Sequence, residues 1–118
     1  MPYRSVVSRE MAELLGVLAH PHRLRLVEEL RGGELDVGAL KDILGISHSG
    51  VSQHLALLRA HRLVVERREA RHVFYRLRHP ELAVWLLDGL RFIGSAAEAS
   101  QQLREDIERA RADWSALG

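Results

Sequence analysis

Two short runs of helical periodicity, separated by a gap of only a few residues, constrain this chain more than any other feature. Within residues 37–61, VGALKDILGISHSGVSQHLALLRAH, apolar side chains fall at Leu40, Ile43 and Leu44, then at Val51, Leu55 and Leu58. That three-and-four spacing marks the buried face of an amphipathic helix, twice over. Gly45 stands where the first helix must stop, because glycine reaches the left-handed conformation that satisfies the last carbonyls. Ser47 follows as the N-cap of the second helix, its hydroxyl accepting from an exposed first-turn amide. The segment therefore predicts a helix, a tight turn and a second helix.

Between its buried positions the second helix shows His48, Ser49, Gly50, Ser52, Gln53, Ala56 and Arg59, none of them acidic. A helix facing only water normally carries mixed charges, Glu included. One entering the DNA major groove needs short polar groups near its N-terminus and no carboxylate facing phosphate. Helix pairs of this geometry also occur in purely structural bundles, so the charge pattern has to decide. The formal net charge of +1 names no partner. Its distribution does: residues 47–79 carry seven basic and two acidic groups, against six and seven in residues 1–46 and four and seven in residues 80–118. A basic patch that coincides with the helix-turn-helix is what a phosphate-facing surface requires.

The flanking segments supply a scaffold. From Ser5 or Ser8 onward, SREMAELLGVLAH predicts an amphipathic first helix with Ser8 as its cap and Met11, Leu14, Leu15 and Leu18 on its apolar face. Pro21 opens the next helix, where its missing amide proton is not needed, and Gly32-Gly33 closes it. Glu34-Leu35-Asp36 has room only for a bridging strand. In residues 63–78 the period changes to two, with Leu63 and Val65, then Val73, Tyr75 and Leu77, on either side of a charged centre. This predicts a β-hairpin with its tip near Arg68-Glu69-Ala70-Arg71, a wing whose arginines can reach the adjacent minor groove or the backbone. Ala70 departs from the best turn chemistry, since a glycine suits positive φ there. After Pro80 an apolar stripe runs from Leu82 through Trp85, Leu90, Ile93, Ala97 and Leu103 to Trp114, with Gly94-Ser95 as a kink or break. The expected organisation is a DNA-binding domain over residues 1–94 and a helical, dimerising extension over 95–118.

At 118 residues the chain can bury one core. It has no cysteine, which removes disulfides and thiolate metal ligation. Neither an apolar run of membrane-spanning length nor a secretory signal is evident, so a cytoplasmic location is expected. No nucleophile elbow, glycine-rich phosphate loop or paired metal motif appears, which argues against an enzyme.

The order of helices and hairpin, together with LAHPHRLRLVEEL at 18–30, the helix-turn-helix run at 37–64 and RREARHVFYRL at 67–77, resembles the ArsR/SmtB family of bacterial winged helix-turn-helix repressors. The resemblance spans roughly residues 11–90. It implies a mainly α fold with a small β-hairpin, a winged helix-turn-helix carrying long N- and C-terminal dimerisation helices. It also implies a homodimer that binds a palindromic operator on double-stranded DNA and is released by an inducer. By the same resemblance His48, Ser49, Gly50, Ser52 and Gln53 are candidates for base contacts, although Gly50 stands where a hydrogen-bonding side chain is common. Ser47, Arg59, Arg67, Arg68, Arg71 and His72 are candidates for phosphate or groove contacts. His54 is either a further donor to the backbone or a half-buried structural histidine.

The family's metal sites do not transfer. The thiolate site near the third helix falls on Leu35-Asp36-Val37-Gly38. A site on the last helix would find His79 and Glu81 at its first pair but Phe92 and Ser95 at its second, which cannot complete a tetrahedron. His20 and His22 flank a proline at a helix start, a place for caps and surface groups. Neither a metal nor a cofactor is expected, and the inducer stays unidentified. The competing reading is a protein-interaction module that uses the winged fold and the long last helix.

Overall fold

The computed structural model describes residues 2–93 and 100–117, with side chains through Trp114 in the last helix. The chain divides into two compact units, residues 1–78 and 79–118. In the first, α1 (Pro2–Leu18) is followed by α2 (Pro21–Glu29), a 3-10 turn at Leu30–Gly32, β1 (Leu35–Asp36), α3 (Val37–Leu44), α4 (His48–Ala60), β2 (Val64–Glu69) and β3 (His72–Leu77). Leu26, Val27, Leu30, Leu40, Val51, Leu55, Leu58 and Val64 are all but sealed from solvent and form one core beneath α4. That core fixes which face of α4 points outward.

Local chemistry places the ends of each element. Asp36 caps α3, its Oδ1 accepting from the Ala39 amide at 2.7 Å. Gly45 closes α3 at φ 68, donating to the Lys41 carbonyl. Ser47 Oγ accepts from the Gly50 amide at 3.0 Å and opens α4. The far end of α4 is a Schellman motif: the Leu63 amide donates to the Leu58 carbonyl and the Arg62 amide to the Arg59 carbonyl. Arg62 occupies its left-handed position at φ 59, a place usually given to glycine. This turn sends the chain from α4 directly into the wing.

The sheet has strand order β1-β3-β2, with Leu35 and Asp36 paired to Tyr75 and Phe74. Residues 70 and 71 form the two-residue hairpin turn, and Ala70 takes φ 53, the positive φ that such a turn demands at its first central position.

Two expectations need correction. α1 begins at Pro2 rather than at Ser8, because nothing between them breaks a helix and proline is tolerated in a first turn. Ser8 lies exposed within the helix, and Tyr3, Val6, Val7, Met11 and Leu15 form a largely exposed apolar stripe along it. In β2 the buried residue is Val64, opposite Leu77, and not Val65 or Leu63. The alternation was displaced by one residue because Glu66, opposite Tyr75, shares the inward face with Val64.

The second unit contains α5 (Glu81–Gly89), a 3-10 turn at Leu90–Phe92 and α6 (Gln101–Leu117), in which Trp114 is buried. Pro80 stands at the N-cap of α5 and offers no side-chain bond. The Gly94-Ser95 kink, the stripe position Ala97 and the boundary between residues 94 and 95 lie outside the described residues.

Candidate nucleic-acid interface

The outer face of α4 presents His48, Ser49 and Gln53, exposed, with Ser52 half-buried beside them. All but Gln53 fall in the first turn and a half after the Ser47 cap, where a recognition helix meets base edges. Ser47 and Ser49 lie with their hydroxyls 3.3 Å apart. Gly50 belongs to the cap: its amide bonds Ser47, and a Cβ added there would press on Ser47 Oγ at 3.1 Å. Its small size serves the helix start, and no side chain is available to reach a base.

Arg59, at the last turn of α4, donates to Glu66 Oε2 at 2.9 Å, while Arg68 Nε meets Glu66 Oε1 at 2.8 Å and the Tyr75 hydroxyl donates to Oε2 at 3.0 Å. One mostly covered carboxylate thereby fastens the recognition helix to the wing. Its pKa is held down chiefly by the Arg68 hydrogen bond, against the opposing effect of burial, with Tyr75 and Arg59 adding to the lowering. Tyr75 responds in the other direction, raised by burial and by the neighbouring Glu66.

On the opposite face of the wing Arg67 forks onto Glu34, with Nε and Nη2 at 3.0 and 2.6 Å, bonds Glu69 at 2.7 Å and lies over the Phe74 ring at 4.6 Å. The Glu34 carboxyl is lowered by that hydrogen bond before any other cause. His72 Nδ1 stands 3.3 Å from Asp36 Oδ2, whose other oxygen caps α3, so the wing is also tied to the start of the helix-turn-helix. Arg71, exposed at the hairpin tip, makes no ion pair among the described residues. Of the four wing arginines, Arg67 and Arg68 are held in internal pairs, Arg76 donates to the Leu77 carbonyl and Arg71 extends from the tip.

His54 does not join the outer face. Its ring, half-buried, packs 4.4 Å from the ring of His20 and 5.4 Å from that of His22, and its Nδ1 lies 3.3 Å from Arg23 Nη1. His20 is the N-cap of α2, its Nδ1 accepting from the His22 amide at 3.0 Å. Desolvation leads the lowering of both the His20 and His54 pKa values, followed by Arg23 at His20 and by the His20 ring at His54.

The metal positions implied by resemblance fall only partly within the described residues. His79 and Glu81 are 3.6 Å apart and exposed, and Phe92, also exposed, offers no ligand atom. Ser95 lies outside the described residues.

The acidic partners of the wing escaped the sequence reading, because Glu34 and Arg67 are 33 residues apart. The inward Glu66 lies in the charged centre of the hairpin, where charge alone does not mark which side chain turns inward. The approach of His54 to His20 and His22 left none, since it depends on how α2 crosses α4.

Comparison with known proteins agrees with this geometry. A family model described as a helix-turn-helix domain matches residues 18–67. The chain is 41% identical over 98 residues to the biofilm growth-associated repressor of Agrobacterium fabrum, a match covering 83% of each chain. It is 43% identical over 75 residues to the transcriptional activator HlyU of Vibrio cholerae, covering 64% of this chain and 69% of that one. Among solved structures, reduced HlyU from Vibrio cholerae superposes with a TM-score of 0.69 at 36% identity, covering 78% of this chain and 97% of the other. The transcriptional repressor BigR from Xylella fastidiosa does so at 0.64 and 38%, covering 82% and 95%.

Proposed function

Because this chain belongs to the ArsR/SmtB family of winged helix-turn-helix transcriptional regulators, we propose that it acts as a homodimeric repressor on a palindromic operator. DNA binding and regulation come with the family, which is one of transcriptional regulators and not of enzymes.

The observation that carries it is the outer face of α4, where a capped helix start shows His48, Ser49, Ser52 and Gln53 with no carboxylate among them. In this reading Gln53 and His48 contact base edges, since a glutamine amide can both donate to and accept from adenine. Ser47, Arg59, Arg67, Arg68, Arg71 and His72 serve the phosphates or the groove edge. The exposed stripe on α1 and the helical extension 95–118 carry the dimer, and residues 1–94 the DNA-binding part. Two recognition helices about one turn of DNA apart would then read two half-sites. An inducer that favours a dimer geometry with mismatched helices releases the operator, for which a coupling of about 1–3 kcal/mol suffices. Among the described residues no helix is long and apolar enough to cross a membrane, and the protein is proposed to act in the cytoplasm beside its DNA.

The test is binding of the purified protein to the DNA upstream of its own gene and to a scrambled fragment, at two salt concentrations. Tight, salt-sensitive binding to the upstream fragment alone supports the reading. Equal weak binding to both favours the protein-interaction module.

A further inference from the structure

His20, His22 and His54 converge from the start of α2 and the middle of α4, and the nitrogen atoms they offer all lie within 4.8 Å of one another. The three rings are half-buried, with centroids 4.4 to 5.4 Å apart. A tetrahedral centre with metal–nitrogen bonds of about 2.0–2.1 Å sets its ligand atoms about 3.3–3.4 Å apart. Small rotations of side chains already in contact close that difference, and partial exposure leaves a fourth position for water.

We infer that these three histidines form a site for one divalent transition-metal ion, of which Zn²⁺ is the natural type and Co²⁺ the spectroscopic probe. Three imidazoles without a thiolate or carboxylate suit the borderline ions zinc, nickel, cobalt and copper, and not magnesium or calcium. The site is separate from His79 and Glu81 at the start of α5, which lie in the other compact unit.

The surroundings define what binding must displace. Arg23, anchored through Nε on the Val17 carbonyl, places Nη1 3.3 Å from His54 Nδ1, so a guanidinium occupies part of the pocket as its resident cation. The metal has to move that nitrogen aside. His20 Nδ1 accepts the His22 amide, so ligation through it replaces the cap directly. Ligation through Nε2 puts the ring proton on Nδ1, which can then no longer accept. Either way the metal takes over from the cap in the first turn of α2, and the His22 amide resonance reports it. Occupation joins α2 to α4 one residue from Gln53. Its effect on operator affinity rests on the functional reading above; the site itself does not.

The experiment is a titration of the full chain with Co²⁺ at neutral pH, followed by visible absorption, and a parallel titration with diamagnetic Zn²⁺ in which the His22 amide is followed by NMR. One Co²⁺ per chain is expected, with four-coordinate bands that Zn²⁺ abolishes, and a shifted His22 amide in the Zn²⁺ titration. His22→Ala, which keeps the backbone amide that His20 caps, and His54→Ala should each weaken binding about tenfold or more, while His79→Ala leaves it unchanged. Failure of the wild-type protein to saturate overturns the proposal. So does binding that survives both His22→Ala and His54→Ala, or that disappears in His79→Ala. Cobalt bands in a protein that ignores its operator would keep the site and remove the regulator reading; operator binding without bands would do the reverse.

Discussion

The outer face of α4 and the wing would both meet DNA, yet the fold prepares them in opposite ways. On α4 the polar groups carry no carboxylate among them, and the cap formed by Ser47 and Gly50 fixes where they start. On the wing two of the charges are already paired, Arg67 by Glu34 and Glu69 and Arg68 by Glu66, while Arg71 extends from the tip. Exposed ion pairs are weak in water and screened by salt, so phosphate can compete for these arginines. The contrast separates two tasks. Reading bases requires groups held in place beforehand, whereas gripping the backbone tolerates charges that exchange one anionic partner for another. Glu66 joins the regions by holding Arg59 of α4 and Arg68 of β2 at once.

The comparison breaks most severely if the shared core is removed. Leu55 is fully buried under α4, and Leu55→Ala should cost about 2–5 kcal/mol of stability. Denaturant unfolding followed by hydrogen exchange should show amides of α4 and of the hairpin losing protection together; a hairpin that stays protected would mean the two regions fold independently.

A narrower change sharpens the division of labour. Gln53→Ala should remove about 1–3 kcal/mol of preference for the operator over scrambled DNA while leaving the salt slope as it was. Competition binding at two salt concentrations measures both quantities. On the wing, Glu34→Gln should release Arg67 toward phosphate, tightening all DNA and steepening the salt dependence by about one counterion. Unchanged slope would mean that Arg67 never leaves the protein.

Acid should loosen the wing next. The Glu34 and Glu66 carboxyls are held below their ordinary values by Arg67 and Arg68 respectively, so the folded state binds fewer protons than the unfolded one. Their stabilisation is present above the ordinary carboxylate range near 4.5 and is lost as the pH falls below it. Glu66→Gln should therefore flatten that part of an acid unfolding curve. The smallest effect belongs to the turn: Ala70→Gly removes left-handed strain at φ 53 and should stabilise the protein by about 0.5–1 kcal/mol after the greater freedom of glycine in the unfolded chain is counted. A thermal melt reads it.

What the sequence made legible was local. Ser47, Gly45 and the three-and-four spacing of Val51, Leu55 and Leu58 act within a few residues, and they located the helix-turn-helix and its outer face. The hairpin was legible as a hairpin, but the inward carboxylate Glu66 displaced its alternation by one residue, because charge alone does not reveal a partner such as Tyr75. The start of α1 was missed for lack of a stop signal before Ser8. Of the candidate contacts, His48, Ser49 and Gln53 lie together on one exposed face, whereas His54 turned toward His20 and His22. That turn depends on packing between helices some thirty residues apart, and no spacing rule within either helix contains it.

Base reading by α4 and backbone gripping by the wing are separated by one measurement: operator and scrambled-DNA affinities of Gln53→Ala and Arg71→Ala, each across a salt series. Gln53→Ala should lose discrimination with an unchanged salt slope. Arg71→Ala, at the unpaired tip, should lose affinity for both DNAs equally and lower the slope by about one. Equal losses from both variants on both DNAs would contradict this division of roles.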